Sequence, residues 1–528
     1  MIPHEDTSSE QRLLIIGWDG ADWAILDDLI QRGCLPNLTT LLEGGGRGDL
    51  LSTIPSHSWA AWSTFLTGLN PAGHGVFDFI ERHPTQPRRH IPVTSSSLKA
   101  PTFLEMLSEA GHEVRAANIP VTFPPIPVRG RMIGGVAIPP GSDPFYPPEF
   151  GRDLSSRAPF PINGMEWADH EGSPSALVTE ALQLVEARTE SFLQMLEGQW
   201  RVAVCVYLAP DRLQHPFGKQ LDPRHPDFAE ASATELAGEI RNVYVALDRA
   251  LDRLRKASGP ETKTVLMSDH GFRPITRASN LSKILEELGL LTPSRKSGVL
   301  GKLKRTPAFR RAIGSGVGQR VRQSVKAPSS INWKETSAYR SAAGGGISIN
   351  LKSREPEGTI LVKDYDRKRD EVRDALISFV DPLTGERPVA AVRFKEELYS
   401  GPYLDLAPDM VVTARDMWTF SHVNSVSEST DWPSGMHRRS GVLAVNGVSQ
   451  SDLGQRHIAD LAASALAFCG IDPRGLDGRV IEAIATLPEA NAVEDRSSGG
   501  SFTRQGEGLS EGELDQVAEH LRSLGYIE

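Results

Sequence analysis

Three short apolar runs, each stopping at a polar turn that carries acid or imidazole, constrain this chain more than any other feature. Leu13-Leu14-Ile15-Ile16 is continuous and apolar, as a strand buried on both faces is, and it stops at Gly17-Trp18-Asp19-Gly20. Residues 21–31 then space Trp23, Ile25, Leu26, Leu29 and Ile30 as a helix does, with Gly33 placed to close it. Residues 202–207 repeat the run and lead into Leu208-Ala209-Pro210-Asp211. A helical stretch over 229–256 leads to Thr264-Val265-Leu266-Met267 and then Ser268-Asp269-His270-Gly271. Met410-Val411-Val412 and Gly441-Val442-Leu443-Ala444-Val445 read as two more core strands. Strands alternating with helices predict an α/β fold with a doubly wound, mostly parallel sheet. Such sheets bind ligands at the carboxyl ends of their strands, where Asp19 stands.

Composition narrows the class. With 528 residues the chain can hold two or more domains, or one large enzyme with insertions. Hydrophobic residues at 39% and charged residues at 23% are ordinary for a globular protein and too apolar for a disordered one. Lys and Arg number 57 against 67 Asp and Glu, a net charge of −10, which disfavours nucleic-acid polymers and anionic lipid as partners. Cys34, Cys205 and Cys469 lie far apart, so a reducing compartment is expected rather than a disulfide framework. Residues 1–11 do not read as a secretory signal, and no run of about 20 apolar residues predicts a spanning helix. The expectation is a cytoplasmic protein, with homo-oligomerisation left open.

The expected organisation is a core over 10–290 and 404–486, with a Pro-rich, loop-forming cap region at 81–163. A basic segment and an insert with its own strands fill 291–403, a polar linker spans 487–509, and a last helix occupies 510–528. Ser510 and Glu513 form a capping-box pattern for that helix, with Leu509 and Leu514 as a hydrophobic staple.

Acid and imidazole recur just after the runs. Asp19 follows the first, Asp211 and His215 the second, and Asp269 and His270 the third; His437 precedes the strand at Val442. Asp211 and His215 are four residues apart, so a helix starting there puts both on one face. Carboxylates and imidazoles converging at neighbouring strand ends suit a zinc-like ion. Each residue alone also has a plainer use, as a helix N-cap or a hydrogen-bonded core histidine. Asp169-His170 follows no apolar run and reads as surface loop. Ser58 opens a short helical segment that Gly68 closes, where it can cap the helix, act as a nucleophile, or both.

Taken in order, Gly17-Trp18-Asp19-Gly20-Ala21, Pro55-Ser56-His57-Ser58, Thr67-Gly68-Leu69-Asn70-Pro71-Ala72-Gly73-His74-Gly75, Asp211 with His215, Ser268-Asp269-His270-Gly271 and Gly435-Met436-His437 resemble the alkaline phosphatase superfamily. Within it the pattern is similar to the type I phosphodiesterase/nucleotide pyrophosphatase family and its bacterial phosphohydrolase/phosphomutase-like relatives, whose tail Ser523 to Ile527 also resembles. The resemblance implies two divalent metal ions, zinc or else manganese. One would be held by Asp211, His215 and His437, the other by Asp19, Asp269 and His270 with Ser58 as nucleophile on it. It further implies a small phosphate-ester substrate, a diester or pyrophosphate before a monoester, cleaved through a phosphoserine. A phosphomutase and a catalytically silent binding module are the alternatives. The segment His74-Gly75-Val76-Phe77-Asp78-Phe79 lacks the Asn found there in nucleotide pyrophosphatases, while Asp78 fits the bacterial relatives and is a substrate-binding candidate. Ser58-Trp59-Ala60-Ala61 lacks the Pro and Arg of sulfatases, and His74 reads as structural. Residues 302–326 are basic, a flap for a polyanion or a solvated face, and Arg354 is a second phosphate-contact candidate.

Overall fold

The computed structural model describes residues 11–83, 86–157, 160–165, 173–294, 331–341, 344–421, 423–431, 433–486 and 509–523. The basic stretch 302–326, Asp169-His170, the linker 491–508 and the tail 524–527 lie outside the described residues. The chain divides into two units, the first formed by 1–276, 396–407 and 430–528, the second by 277–395 and 408–429.

The first unit is built on a nine-stranded sheet. Its strands are β1 (Leu13–Trp18), β2 (Gly45–Leu51), β3 (Val114–Ile119), β4 (Gly130–Gly134), β5 (Phe145–Tyr146), β6 (Val202–Tyr207), β7 (Lys263–Met267), β8 (Ser440–Asn446) and β9 (Asp452–His457). They lie in the order β9-β2-β8-β7-β1-β6-β3-β4-β5. β1 pairs parallel with both β6 and β7, and antiparallel pairing is confined to β8 with its two neighbours and to β4 with β5. All six residues of β1 and of β6 are buried, which is why those runs are apolar without alternation. In register Trp18 lies level with Tyr207, and Gly17 with Met267. The turns after β1, β6 and β7 therefore open at one edge.

Helices cover both faces. Those that position the site or its core are α1 (Trp23–Gln31), α2 (Ser58–Thr67), α3 (Phe103–Glu109), α4 (Pro174–Met195), α5 (Ala209–Leu221), α6 (Glu235–Ser258), α7 (Asp460–Phe468) and α8 (Glu511–Ser523). Leu14, Ile16 and Trp18 join one core with buried residues of α1, α4 and α6. α6 contributes Ile240, Val243, Leu247, Leu251 and Leu254 at helical spacing, each worth about 1.5–3 kcal/mol when buried. The alternate residue Gly17 faces α2, where an added Cβ would come 2.8 Å from Trp62. That missing side chain lets α2 approach β1 closely. α3 and α7 pack beside α2. α8 starts with the expected capping box, Ser510 N–H donating to Glu513 and Glu513 N–H to Ser510 Oγ, and buries Val517 and Leu521 along the strand Gln86–Pro92. No described helix is long and apolar enough to cross a membrane.

The second unit holds a four-stranded antiparallel sheet of Ala338–Arg340, Gly346–Ile349, Met410–Ala414 and Val389–Phe394, in that order, with the helix Tyr365–Ser378 contributing Val372 and Leu376 to its core. Met410-Val411-Val412 thus belongs to this sheet and not to the core sheet the sequence suggests. An apolar run reports burial, and burial alone does not say in which sheet. The unit begins before 291 and takes in 408–429, while 396–407 joins the first unit.

Candidate metal centre

The turn after β1 is fixed by its backbone. Asp19 N–H donates to the Tyr207 carbonyl at 2.9 Å, and Gly20 adopts φ +70, where an added Cβ would lie 2.8 Å from Phe272. Asp19 is not the helix cap; that task falls to Asp22, whose carboxylate accepts from Ala24 N at 3.0 Å. Trp62 Nε1 donates to Asp19 Oδ2 at 2.8 Å, and Asp19 Oδ1 is buried with no hydrogen-bond partner. The close approach at Gly17 makes that tryptophan contact, which no local sequence signal announces.

Asp211 lies in the first turn of α5 and His215 one turn later, with Nε2 3.4 Å from Asp211 Oδ1. His437 arrives on the strand Gly435–Arg438, which pairs antiparallel with Gly271–Pro274 and sets His437 opposite Phe272. Its Nε2 lies 3.1 Å from Asp211 Oδ1 and 3.0 Å from His215 Nε2. Its Nδ1 faces the Ser56 carbonyl at 3.0 Å, and a carbonyl only accepts. Nδ1 therefore carries the proton, and the neutral ring turns the Nε2 lone pair toward a carboxylate oxygen.

Asp269 and His270 close the third turn. Asp269 Oδ1 accepts from Gly20 N at 3.1 Å, while Oδ2 is buried without a hydrogen-bond partner. His270 Nδ1 faces the Gly271 carbonyl at 3.2 Å, so its Nε2 lone pair also points inward, 3.3 Å from Asp269 Oδ2 and 3.9 Å from Asp19 Oδ1. The His270 and His437 rings stack with centroids 3.8 Å apart.

Two groups result, Asp19-Asp269-His270 and Asp211-His215-His437, each offering three ligand atoms within 4.8 Å of one another. Burial, then the neighbouring carboxylates, push Asp19 and Asp269 well above the usual carboxylate range. Burial works the same way on Asp211, but His215, one turn along the same helix, outweighs it and holds it well below. Lone pairs facing lone pairs and two orphaned carboxylate oxygens are costly unless a cation lies among them. The donor set, three mixed nitrogen and oxygen ligands in each group with a fourth position left open, fits a zinc-like divalent ion.

Ser58 completes the cluster. It is buried as the first residue of α2, and His57 holds the cap position without a side-chain capping bond. Ser58 Oγ is 3.3 Å from His270 Nε2. The first backbone N–H groups of α2 thus have no side-chain cap beside that hydroxyl.

The remaining sequence candidates lie elsewhere. Asp78 is buried behind the start of α2, its Oδ1 accepting from Phe79 N at 2.7 Å, near the His57 ring that stacks on Phe79. Arg354 is in the second unit, where Asp409 takes it bidentately at 2.7 and 2.8 Å, Glu355 accepts at 3.0 Å and the Ile349 carbonyl at 2.7 Å. Those donors are engaged structurally, so the phosphate-contact assignment for Arg354 gains nothing from its surroundings. His74 is structural in geometry, bonded to Thr64 Oγ1 and Val76 N. Asp22 is a positioning residue that the sequence motifs do not single out. Its Oδ2 accepts from Phe272 N at 3.1 Å and Arg438 Nε at 2.5 Å, tying the His270 and His437 segments to the Asp19 turn. Its three-residue spacing from Asp19 is the only hint.

A model of the type I phosphodiesterase / nucleotide pyrophosphatase family matches residues 13–438. Phosphonoacetate hydrolase from Sinorhizobium meliloti 1021 in complex with phosphonoformate is similar in structure, with a TM-score of 0.54 and 16% identity over 87% of this chain and 95% of that one. Murine ectonucleotide pyrophosphatase / phosphodiesterase 5 in complex with AMP is similar at a TM-score of 0.50 and 15% identity, over 89% of this chain and 97% of that one. Both likenesses bear on the fold. No curated protein matches the chain by sequence. The family match spans all three strand-end turns and His437, and the chain belongs to the type I phosphodiesterase / nucleotide pyrophosphatase family, as a hydrolase acting on phosphate esters.

Proposed function

We propose that the protein is a metal-dependent phosphohydrolase that cleaves phosphodiester or pyrophosphate bonds, with Ser58 as its nucleophile. The observation that carries this is the position of Ser58 Oγ, 3.3 Å from a lone pair of the Asp19-Asp269-His270 group and at an uncapped helix start. Asp19, Asp269 and His270 would hold one divalent ion, and Asp211, His215 and His437 the other, with zinc favoured by the mixed nitrogen and oxygen donors and manganese second. When bound, such ions neutralise charge on the phosphoryl oxygens and lower the pKa of a nearby hydroxyl. Ser58 Oγ bonds to phosphorus as the bond to the leaving oxygen breaks, giving a serine phosphate ester that keeps the substrate's other substituent (a phosphoserine only where the substrate is a monoester), and water then hydrolyses it to the substituted phosphate. The free N–H groups at the start of α2 bind the anionic oxygens of that phosphoryl group. Trp62, Ser56 and Gly20 hold Asp19, His437 and Asp269 in orientation.

The test is turnover of bis(p-nitrophenyl) phosphate and of nucleotide diphosphate diesters by zinc- or manganese-loaded protein. Ser58→Ala should lower kcat by about a thousandfold or more while metal content is retained. Unchanged turnover with bound metal would remove Ser58 from the chemistry. Isomerisation of a phosphomonoester, with no release of nitrophenol or nucleotide from these diesters, would identify a mutase.

A further inference from the structure

The segment 396–407 interrupts the second unit in sequence but belongs to the first. Its buried anchor is Tyr399, 6% exposed, just after the short helix Lys395–Leu398. The Tyr399 hydroxyl donates to the Ile54 carbonyl. Ile54 stands four residues before Ser58, in the loop that joins β2 to α2. Among the described residues no second donor is bonded to that carbonyl. Burial pushes the phenol's pKa up, so at neutral pH the hydroxyl keeps the proton that it donates. The Tyr399 ring also meets Phe77 edge-on, with centroids 5.4 Å apart, and the Phe77 carbonyl accepts from His57 Nε2 at 2.8 Å. One side chain thus reaches both ends of the stretch that leads into Ser58, Ile54 directly and His57 through Phe77.

The backbone beside Tyr399 keeps it there. Asn70 Nδ2 donates to the Ser400 carbonyl at 2.7 Å, and Asn70 Oδ1 accepts from Ser400 N at 3.3 Å. Tyr403 N–H donates to the Ala72 carbonyl at 3.0 Å. Gly401, at φ +147, comes so near that an added Cβ would lie 2.6 Å from the same oxygen. Ala72, Tyr399 and Ala407 form a small apolar cluster with Phe77, Leu398 and Leu404 at its margin. The loop before Ser58 has two further anchors: Ser52 N–H donates to the Arg439 carbonyl at 2.8 Å, and His437 Nδ1 donates to the Ser56 carbonyl at 3.0 Å. Both of those belong to the segment that carries a ligand candidate. Tyr399 does not, so it holds the loop independently of the acid and imidazole cluster.

We propose that Tyr399 is a positioning residue for the nucleophile: by fixing the Ile54 carbonyl and bracing the Phe77 contact to His57, it sets where Ser58 Oγ stands relative to the phosphorus under attack. This rests on Ser58 as the nucleophile and adds the residue that aims it. An attacking oxygen displaced by about 1 Å loses about a hundredfold in rate, whereas binding of the anion needs no such alignment.

The experiment compares metal-loaded wild type, Tyr399→Phe, Ser58→Ala and the double variant for turnover of bis(p-nitrophenyl) phosphate and for inhibition by orthovanadate and by orthophosphate. The serine oxygen adds to vanadium as its proton passes to a vanadate oxygen, so vanadate reads the position of the nucleophile, while orthophosphate reads binding of the anion. Tyr399→Phe should lower kcat by about ten- to a hundredfold with KM within about twofold of wild type. It should weaken vanadate by a similar factor and leave orthophosphate and metal content unchanged. On the residual turnover of Ser58→Ala, Tyr399→Phe should change nothing further, because no nucleophile is left to aim. Unchanged kcat, a parallel loss of vanadate and orthophosphate, loss of metal, or an equal fall in rate with and without Ser58 would each overturn the assignment. Turnover that survives Ser58→Ala overturns the nucleophile and its positioning together; turnover abolished by Ser58→Ala but untouched by Tyr399→Phe removes the positioning role alone.

Discussion

Two buried clusters of charge, one in each unit, are assembled on opposite terms. In the second unit Asp409 accepts two bonds from Arg354, one from Tyr365 and one from Ile349 N, and Arg354 keeps it below the usual carboxylate range although burial pulls the other way. Both its oxygens are engaged. In the first unit Asp19 and Asp269 each keep one oxygen buried and unbonded, and two imidazole lone pairs point at carboxylates. A cluster that closes on itself fixes the fold, whereas one that leaves its acceptors facing one another is built to receive something. Buried charge is therefore a poor sign of function until its bonding is counted.

The largest test of that contrast is Asp409→Ala. It strands the Arg354 guanidinium, which should destabilise the protein by about 3–5 kcal/mol in urea denaturation. Metal binding should be unaltered; a parallel loss of bound zinc would deny that the two clusters are independent. Asp269→Asn should act with the opposite sign. An amide nitrogen in place of the orphaned Oδ2 can donate to His270 Nε2, so the metal-free variant should be more stable than wild type by about 1–3 kcal/mol. Added zinc should reverse the order, because only the wild type keeps its full ligand set. Melting curves with chelator and with zinc check this, and a metal-free variant less stable than wild type would sink it.

The same distinction explains what is legible in the sequence. β1, β6, β7 and β8 are readable because strands buried on both faces are spelled in continuous apolar letters. β3 is equally buried but contains Arg115 and Asn118, whose side chains bond to the Met195, Gln199 and Val206 carbonyls, and so it reads as polar. β2 is glycine-rich, and there an added Cβ at Gly45 would strike the Val445 carbonyl at 2.1 Å. Its strand character is set by the neighbour and not by its own propensity. Asp19, Asp269 and His270 stand out because they sit directly at a strand end, and Asp211 with His215 because they are one helical turn apart on the helix that follows β6. Arg354 looks like a phosphate contact only because Asp409, 55 residues away, cannot be seen as its partner in one dimension.

His74 is a third kind of buried group, saturated in only one protonation state. Neutral, it accepts from Val76 N at Nδ1, 3.2 Å, and donates Nε2–H to Thr64 Oγ1, 3.0 Å. Burial lowers its pKa from 6.5 to about 3. Between those values the unfolded chain binds a proton that the folded chain refuses. The contribution is complete above pH 6.5 and declines as pH falls toward 3, with a slope of up to about 1.4 kcal/mol per pH unit. Below both values the two states bind alike and the slope vanishes. Asp409 cannot imitate this over the upper part of that range, because Arg354 holds its carboxyl below the ordinary value of 3.8. Replacing His74 by Gln, which has no titration there, should flatten the pH dependence of the urea midpoint between about pH 6.5 and 4. An undiminished slope in that variant would assign the effect to other histidines, and with it remove His74 from the set of groups that the fold keeps neutral.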